Sequence, residues 1–158
     1  MAGVFIDLAG TADAPALAAL QQACFSHPWT LRQVEDEIAA GPPGGVLVAR
    51  RGGPGAGVAI LAACAYRVVA DEAHVLDVTV SPAWRRRGLA RRLVSLALLR
   101  SLRAGARSAQ LEVRAGNSAA LALYAGLGFE ASGRRRGYYS EPTEDAILLA
   151  KRRLGALS

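Results

Sequence analysis

Hydrophobic residues occur along the chain in short runs that are separated by glycine, proline and polar turn residues. The run Val4 to Leu8 predicts a first strand, and Thr11 to Asp13 signals the start of an Ala- and Leu-rich helix that continues to about Cys24. Thr30 and Gln33 have the spacing of a capping box, in which each side chain bonds the backbone N–H of the other residue. A second helix is therefore predicted to start there.

The middle of the chain predicts three strands. Gly41 to Gly45 breaks the second helix. The β-type runs Val46 to Ala49 and Val58 to Ala65 follow as a hairpin, joined by the glycine-rich turn Arg51 to Gly57. These glycines do not form the GxGxxG pattern of a nucleotide loop, so we interpret them as turn geometry. Val75 to Val80 predicts the third strand, which ends before Pro82 because proline lacks a backbone donor.

A long helix with one buried face is predicted from Gly88 to about Ala104. Leucine and alanine recur there near helical spacing, at Leu89, Leu93, Leu96, Ala97 and Leu99. The rest of the chain predicts a strand, a helix and two further strands, at Ala109 to Val113, Asn117 to Leu127, Phe129 to Gly133 and Ala146 to Leu149. The order β, α, α, β, β, β, α, β, α, β, β is typical of a mixed α/β sheet covered by helices on its faces.

Length and composition indicate one globular domain that spans residues 1–158. Apolar residues make up 52% and charged residues 20%, which excludes a disordered or collagen-like chain. No uncharged apolar run approaches the roughly 18 residues that cross a bilayer. The N-terminus has neither a signal-peptide pattern nor a myristoylation site, so we expect a soluble cytoplasmic protein without membrane contact.

The net charge of +6 comes almost entirely from arginine, since Lys151 is the only lysine. Such a surface attracts phosphate-bearing cofactors, nucleic acid or acidic peptides, although a biased genome composition explains the bulk charge equally well. Cys24 and Cys64 lack zinc-ligand spacing and a disulfide framework, so both are expected to be reduced core thiols. No metal site is expected.

The segment from Arg85 to Ala90 lies between a predicted strand and the long helix. Unpaired amides and the helix dipole favour an anion at a helix N-terminus, and Gly88 has no side chain to block its approach. The segment is not a P-loop, because no Gly-Lys-Ser or Gly-Lys-Thr follows. We interpret it as a phosphate-binding loop, the alternative being a solvated basic turn that caps the helix.

Glu112, Asn117 and Tyr124 form a second candidate group. Glu112 is flanked by apolar residues on a predicted strand, where burial would raise its pKa toward that of a useful general base. Tyr124 lies two helical turns after Asn117, on the same helix face. The group offers one base and one acid. The alternative interpretation is a salt bridge from Glu112 to an arginine beside a core tyrosine.

These segments resemble the GNAT acyltransferases, whose sequence mark is Arg or Gln, two variable residues, Gly, one variable residue, and Gly or Ala. Arg85 to Ala90 has that pattern, with alanine in place of the second glycine. Within the superfamily the chain is most similar to the RimI family, the bacterial ribosomal-protein alanine N-acetyltransferases. The matching segments cover nearly the whole chain: Cys24 to Thr30, Val78 to Ala90, Leu111 to Arg114, Asn117 to Phe129, Arg134 to Tyr139 and Glu144 to Ile147.

The resemblance implies an α/β fold, with a GNAT-like mixed central sheet of about seven strands flanked by about four helices. It also implies acetyl-CoA as cofactor. Residues of the loop and first helical turn would hold the pyrophosphate, namely Arg86, Arg87, Gly88, Leu89, Ala90 and Arg91. The strand segment Val78, Thr79 and Val80 would lie along the pantetheine and thioester, and Asn117 would bond the cofactor arm.

The resemblance further implies catalytic roles for Glu112, as the base that deprotonates the acceptor amine, and for Tyr124, as the acid toward the thiolate. Acetyl transfer would be direct, in a ternary complex, without an acyl-cysteine. Trp29, Tyr138 and Tyr139 would border the acceptor peptide, with the tyrosine pair in the loop between the last two strands; core packing is the alternative. One departure is Gly126, where the family usually has a longer residue.

The leading interpretation is an enzyme that acetylates the N-terminal alanine of a small-subunit ribosomal protein. A lysine or small-molecule acetyltransferase with the same cofactor site remains open. An RNA- or ribosome-binding module would use the arginine clusters, but stacking aromatics are few at 6% of residues, and no direct nucleic-acid contact is required. The sequence leaves the oligomeric state open, with a monomer favoured.

Overall fold

The structure is a computed structural model that describes residues 3–52 and 59–155. Within these ranges seven strands and four helices follow the predicted order: β1 (Val4–Leu8), α1 (Ala14–Cys24), α2 (Leu31–Ala40), β2 (Gly45–Arg51), β3 (Ala59–Val69), β4 (Glu72–Val80), α3 (Leu89–Arg103), β5 (Ser108–Arg114), α4 (Ser118–Gly126), β6 (Glu130–Tyr139) and β7 (Glu144–Lys151). The predicted mixed α/β architecture is confirmed.

The strands form one sheet in the order β1-β2-β3-β4-β5-β7-β6. Neighbouring strands are antiparallel except β4 and β5, which are parallel and are connected through α3. The antiparallel pairing of β2 with β3 confirms the hairpin. Residues 53–58 of its predicted turn lie outside the described residues.

The helices cover the two faces of the sheet with separate hydrophobic clusters. One cluster contains the buried residues of α3, including Leu89 and Leu93, together with Tyr124 of α4. The other packs Leu17 of α1 and Val34 of α2 against β2 and β3. A single sheet with both faces covered explains why its central strands are continuously apolar.

Local sequence signals account for the helix boundaries. The Thr30 hydroxyl accepts from the Gln33 N–H at 3.1 Å, and Gln33 Oε1 accepts from the Thr30 N–H at 2.8 Å, so the predicted capping box is present. The predicted buried face of α3 is correct except at Leu99, which is 42% exposed while Leu98 is buried. Leu99 is one position too far around the helix to reach the sheet.

The last hairpin is longer than predicted. β6 continues from Glu130 to Tyr139, and Tyr139 pairs with Glu144 of β7. Tyr138 and Tyr139 therefore end a strand and do not lie in the connecting loop, which corrects the sequence interpretation. Gly137 has φ +60° and lies at a register irregularity between Arg135 and Tyr139. Across this irregularity β6 has two more residues than β7, and such a bulge absorbs extra residues without ending the strand.

In the described ranges, no helix combines the length and the apolar character needed to cross a membrane. The same residues contain no group of three or more His, Cys, Asp or Glu side chains placed to hold a metal ion.

Candidate active site

The sheet is open between β4 and β5. These strands pair only over Glu72–His74 and Ser108–Gln110, while β4 stays paired with β3 up to Val80 and β5 stays paired with β7. At the end of β4 the Ser81 N–H donates to Leu61 on β3 at 2.8 Å. Because backbone groups alternate between the two edges of a strand, those of Val78 and Val80 are directed to the gap. We call this opening the β4–β5 gap.

A basic loop follows β4 at the end of the gap and leads into α3. Gly88 is the N-cap residue, with φ +79°, and α3 has no side-chain cap. The first amides of the helix, at Leu89, Ala90 and Arg91, lack intrahelical acceptors and point along the axis out of its N-terminus. Among residues 3–52 and 59–155, a Cβ added at Gly88 would meet nothing within 4 Å, so the left-handed backbone, and not crowding, is what requires glycine.

Arginine side chains surround this helix N-terminus. Arg86, Arg87 and Arg91 are exposed, and Arg87 stacks on the Trp84 ring at 4.5 Å. The Arg85 side chain instead contacts the protein itself: its Nε donates to the Val80 carbonyl at 3.2 Å and holds the loop against the end of β4. The amides at the start of the helix, its dipole and exposed guanidinium groups together suit a pyrophosphate. The residues predicted from the sequence therefore fit a phosphate-bearing cofactor.

The predicted cofactor residues differ in what they offer. Leu89 is only 1% exposed, so only its backbone is available to a ligand. Thr79 is 2% exposed, and its hydroxyl donates to Asp77 on the side away from α3. Asn117 is the N-cap of α4: its Oδ1 accepts from Ala120 N–H at 3.1 Å, which leaves its side-chain NH₂ group as the donor for a cofactor arm.

Glu112 lies across the gap on β5, and it is not buried. Its side chain is 31% exposed, because Leu111 and Val113 take the core-facing positions of the strand and direct Glu112 to the opposite face. The predicted burial of Glu112 is therefore wrong. Glu112 Oε1 lies 3.5 Å from Arg135 Nη2, the ion pair that the alternative interpretation foresaw.

The tyrosine pair lies against Glu112 although it comes from another strand. The Glu112 carboxylate lies near the Tyr138 hydroxyl and raises the pKa of Tyr138, as a hydrogen-bond acceptor and by its charge. The two rings pack edge to face with centroids 5.0 Å apart, and burial raises the pKa of Tyr139, helped by the Glu112 charge. Arg114 stacks on the Tyr139 ring at 4.2 Å. The structure thus brings Glu112, Tyr138 and Tyr139 together.

Tyr124 is on α4 and packs in the hydrophobic cluster under α3, on the opposite face of the sheet from the Glu112 side chain. It is 6% exposed. Its ring packs edge to face on Phe129, with centroids 5.6 Å apart. Burial raises the pKa of Tyr124, and the neighbouring Cys64 and Asp77 add to the effect. The phenol is protonated at neutral pH, as an ordinary tyrosine is, and the raised pKa makes it a weaker acid than a free tyrosine. Burial also raises the pKa of the Cys64 thiol to about 12, which leaves Cys64 without nucleophilic character.

Trp29 lies just before α2, in the loop that follows α1. It is half-buried and packs against the cluster between α1 and α2, so the structure contains the core packing that was its alternative interpretation. Beside it lies Asp77, a carboxylate that the sequence interpretation missed. Burial raises the pKa of Asp77. Hydrogen bonds from Thr79 and Gln21 act in the opposite direction, but the effect of burial is larger. A lone aspartate inside the apolar strand from Val75 to Val80 was the available signal.

Comparison with known proteins agrees with this geometry. Residues 14–129 match the acetyltransferase (GNAT) family, so the chain belongs to that family. The chain is 37% identical over 142 residues to the N-alpha-acetyltransferase RimI of Mycobacterium tuberculosis, which covers 89% of this chain and 87% of that protein. The crystal structure of the ribosomal-protein-S18-alanine N-acetyltransferase from Escherichia coli superposes with a TM-score of 0.83 at 30% identity, over 98% of this chain and 96% of that one.

A shorter match is to the ribosomal protein bS18-alanine N-acetyltransferase of Escherichia coli strain K12. It is 42% identical over 86 residues, which are 53% of this chain and 58% of that protein. The aligned part thus spans less than two thirds of the first curated relatives. The predicted resemblance to the GNAT superfamily and its RimI members is confirmed.

Proposed function

We propose that the chain is an acetyl-CoA-dependent N-acetyltransferase that acts on the α-amine of an N-terminal alanine of a small-subunit ribosomal protein. The observation that carries the proposal is the β4–β5 gap, with an anion-binding loop at one end and the Glu112–Tyr138–Tyr139 group across it. RimI relatives of that specificity support the choice of acceptor. A cytoplasmic location fits an acceptor that is made there.

The cofactor side would use backbone more than side chains. The amides that begin α3 and the guanidinium groups of Arg86, Arg87 and Arg91 would hold the pyrophosphate. The gap-facing backbone of Val78 and the Val80 N–H would pair with the amides of the pantetheine arm, since the Val80 carbonyl already accepts from Arg85. The Asn117 NH₂ group would donate to the same arm. Acetyl-CoA supplies an activated thioester, and the chain positions its carbonyl carbon for attack.

Glu112 would act as the general base. An α-amine has an ordinary pKa of about 8, so a mild base suffices near neutral pH. Its exposed position suits removal of the proton through one water molecule to solvent. The neutral amine would then attack the thioester carbonyl directly, and the C–S bond would break. The Tyr124 hydroxyl would donate its proton to the departing thiolate, and the second proton lost by the new amide nitrogen would restore the Tyr124 hydroxyl.

A peptide panel tests the proposal. Peptides that begin with Ala, Ser, Met or Lys, an N-terminally blocked peptide with internal lysines, and a polyamine are incubated with acetyl-CoA and the chain. Mass spectrometry should find acetylation mainly on the α-amine of the Ala-first peptides. Acetyl groups mainly on lysine side chains, or on the polyamine alone, would contradict the proposal and favour the lysine or small-molecule enzyme.

A further inference from the structure

A chain of hydrogen bonds links the loop that carries Trp29 to the middle of β4. The backbone N–H of Trp29 donates to Gln21 Oε1 at 3.1 Å. The Gln21 Nε2 donates to Asp77 Oδ2 at 2.6 Å and to Thr79 Oγ1 at 3.2 Å, and the Thr79 hydroxyl donates to the same Asp77 oxygen at 2.6 Å. We call Gln21, Asp77 and Thr79 the polar relay.

The polar relay is inside the protein and not on its surface. Gln21 is 5% exposed and Thr79 is 2% exposed. All three residues line a cavity of about 20 Å³ together with the Trp29 side chain, and its remaining walls are apolar. Buried polar groups cost free energy unless they are paired, and in this otherwise hydrophobic layer each polar side chain of the relay has a hydrogen-bond partner.

A register irregularity directs Asp77 into this position. Tyr66 of β3 pairs with Val75 and Ala65 pairs with Asp77, so Leu76 is an extra residue on β4. Leu76 is 40% exposed, and beyond it Asp77 and Thr79 face α1 while the backbone of Val78, between them, faces the gap. Asp77 and Thr79 thus bind Gln21 of α1 and lie on either side of Val78, whose backbone borders the proposed thioester position.

The groups at the two ends of the relay, the Trp29 backbone N–H and the Asp77 carboxylate, fix the direction of its hydrogen bonds. A backbone N–H can only donate, so Gln21 must turn its carbonyl oxygen to Trp29 and its NH₂ group to Asp77. A carboxylate at position 77 can only accept, which matches that NH₂ group. Only one orientation of the Gln21 carboxamide therefore satisfies all of these hydrogen bonds. Replacing its NH₂ group with an acceptor breaks the bond to Asp77.

We propose that Asp77, acting through Gln21, is a positioning residue. It sets the distance between the Trp29 loop and the backbone of Val78, which borders the proposed thioester position. The inference rests on the proposed function, in which Trp29 borders the acceptor peptide and β4 borders the thioester. Loss of the relay lets the Trp29 loop move away from β4, so the acceptor binds less well, while the loop before α3 that holds the cofactor is untouched.

Exchanging the donor and acceptor tests this role. Gln21→Glu sets two carboxylates against each other and should raise the KM for an Ala-first peptide about tenfold, with the acetyl-CoA Kd changed less than about twofold. Asp77→Asn keeps an oxygen for Gln21 and Thr79 and should change KM about twofold. The double variant Gln21→Glu/Asp77→Asn restores one donor and one acceptor and should return KM to within about threefold of wild type. Gln22→Glu, on the exposed neighbouring residue, is the matched control.

A second readout does not depend on the acceptor. Trp29 and Trp84 are the two tryptophans, so in a Trp84→Phe background the fluorescence reports Trp29 alone. Acrylamide quenching of Trp29 should increase about twofold or more with Gln21→Glu and should return toward its starting value in the double variant. Gln22→Glu should not change it. If Gln21→Glu does not fold, Gln21→Met, which removes the hydrogen bonds without adding charge, takes its place with the same expected direction.

The two proposals fail in different ways. If the wild type acetylates no Ala-first peptide, the proposed function fails, and quenching with the variants still decides the positioning role. If Gln21→Glu lowers only the melting temperature and leaves both KM and quenching at wild-type values, the relay is purely structural and the inference is overturned. A double variant that is no better than Gln21→Glu overturns it as well.

Discussion

The two sides of the β4–β5 gap are built in different ways. Apart from Asn117, the proposed cofactor side is one continuous stretch of chain, from Val78 to Arg91, and most of what it offers is backbone: a strand edge and the first amides of a helix N-terminus. The acceptor side is made of side chains from separate elements, with Glu112 on β5, the tyrosine pair on β6 and Trp29 before α2.

This difference decides how each side responds to change. A backbone site depends on φ and ψ, so it tolerates most side-chain replacements and fails where a residue must have a left-handed conformation. A side-chain site depends on functional groups held by packing between distant elements. Single replacements should therefore separate cofactor binding from acceptor chemistry, and the following variants are ordered by the size of the expected effect.

Tyr124→Phe should have the largest effect on the chemical step. The change removes only a buried hydroxyl, so it should lower kcat by at least about 10² while leaving the acetyl-CoA Kd within about twofold. Tyr66→Phe is the matched control, because Tyr66 is a second buried tyrosine whose hydroxyl bonds Arg100 at 2.9 Å, away from the gap. Steady-state kinetics and calorimetry measure both values. Wild-type turnover in Tyr124→Phe would assign this residue to packing.

Glu112→Gln should lower kcat by about 10² near pH 7 and leave cofactor affinity unchanged, since a general base acts mainly in the transition state. Its pH profile makes the test specific. Above pH 9 an α-amine of pKa about 8 is already neutral, so the variant should recover part of its rate there. Glu130→Gln, on the exposed start of β6, is the control. A pH-independent deficit would indicate that Glu112 only holds Tyr138 and Arg135.

Gly88→Val should weaken acetyl-CoA binding about 30-fold, because a β-branched residue cannot adopt φ +79° without strain and the loop must rearrange. Gly105→Val is a close control at the opposite end of the same helix, with φ +100° and open space around its Cβ. It should lose stability without losing cofactor affinity. Arg85→Ala should weaken binding only about threefold. Equal calorimetric affinities for wild type and Gly88→Val would remove this loop from the site.

Tyr139→Ala should have the smallest effect, on the acceptor alone. It should raise the peptide KM about fivefold and lower kcat less than about twofold, because in the proposed complex the ring contacts the peptide and not the reacting atoms. A Tyr139→Phe variant keeps the stacking on Arg114 and should show half of the change or less. A fall in kcat without a change in KM would give Tyr139 a part in the chemistry.

Sequence reasoning succeeded where the signal was local. The capping box at Thr30, the loop at Gly88 and the buried face of α3 depend on residues within one or two turns of each other. It failed where distant elements decide. The exposure of Glu112 depends on which face of β5 is covered, and the strand position of Tyr139 depends on a bulge that its β7 partner stabilises.

Asp77 shows the same limit most clearly. Its hydrogen-bond partner Gln21 is 56 positions away, and no spacing rule connects a helix glutamine with a strand aspartate. Once the fold places α1 over β4, the pair is evident from donor and acceptor chemistry alone. The side of the gap that depends on side chains is therefore the side that the sequence describes least well.

One competition measurement tests the central claim most directly. A single peptide that begins with alanine and contains an internal lysine is incubated with acetyl-CoA and the chain at pH 7.5, and fragment masses locate the acetyl group. The α-amine is partly neutral at this pH, whereas a lysine amine of pKa about 10.4 is almost fully protonated, so the acetyl group should be found on the N-terminal alanine. Acetylation mainly at the lysine side chain, with the α-amine free, would contradict the account.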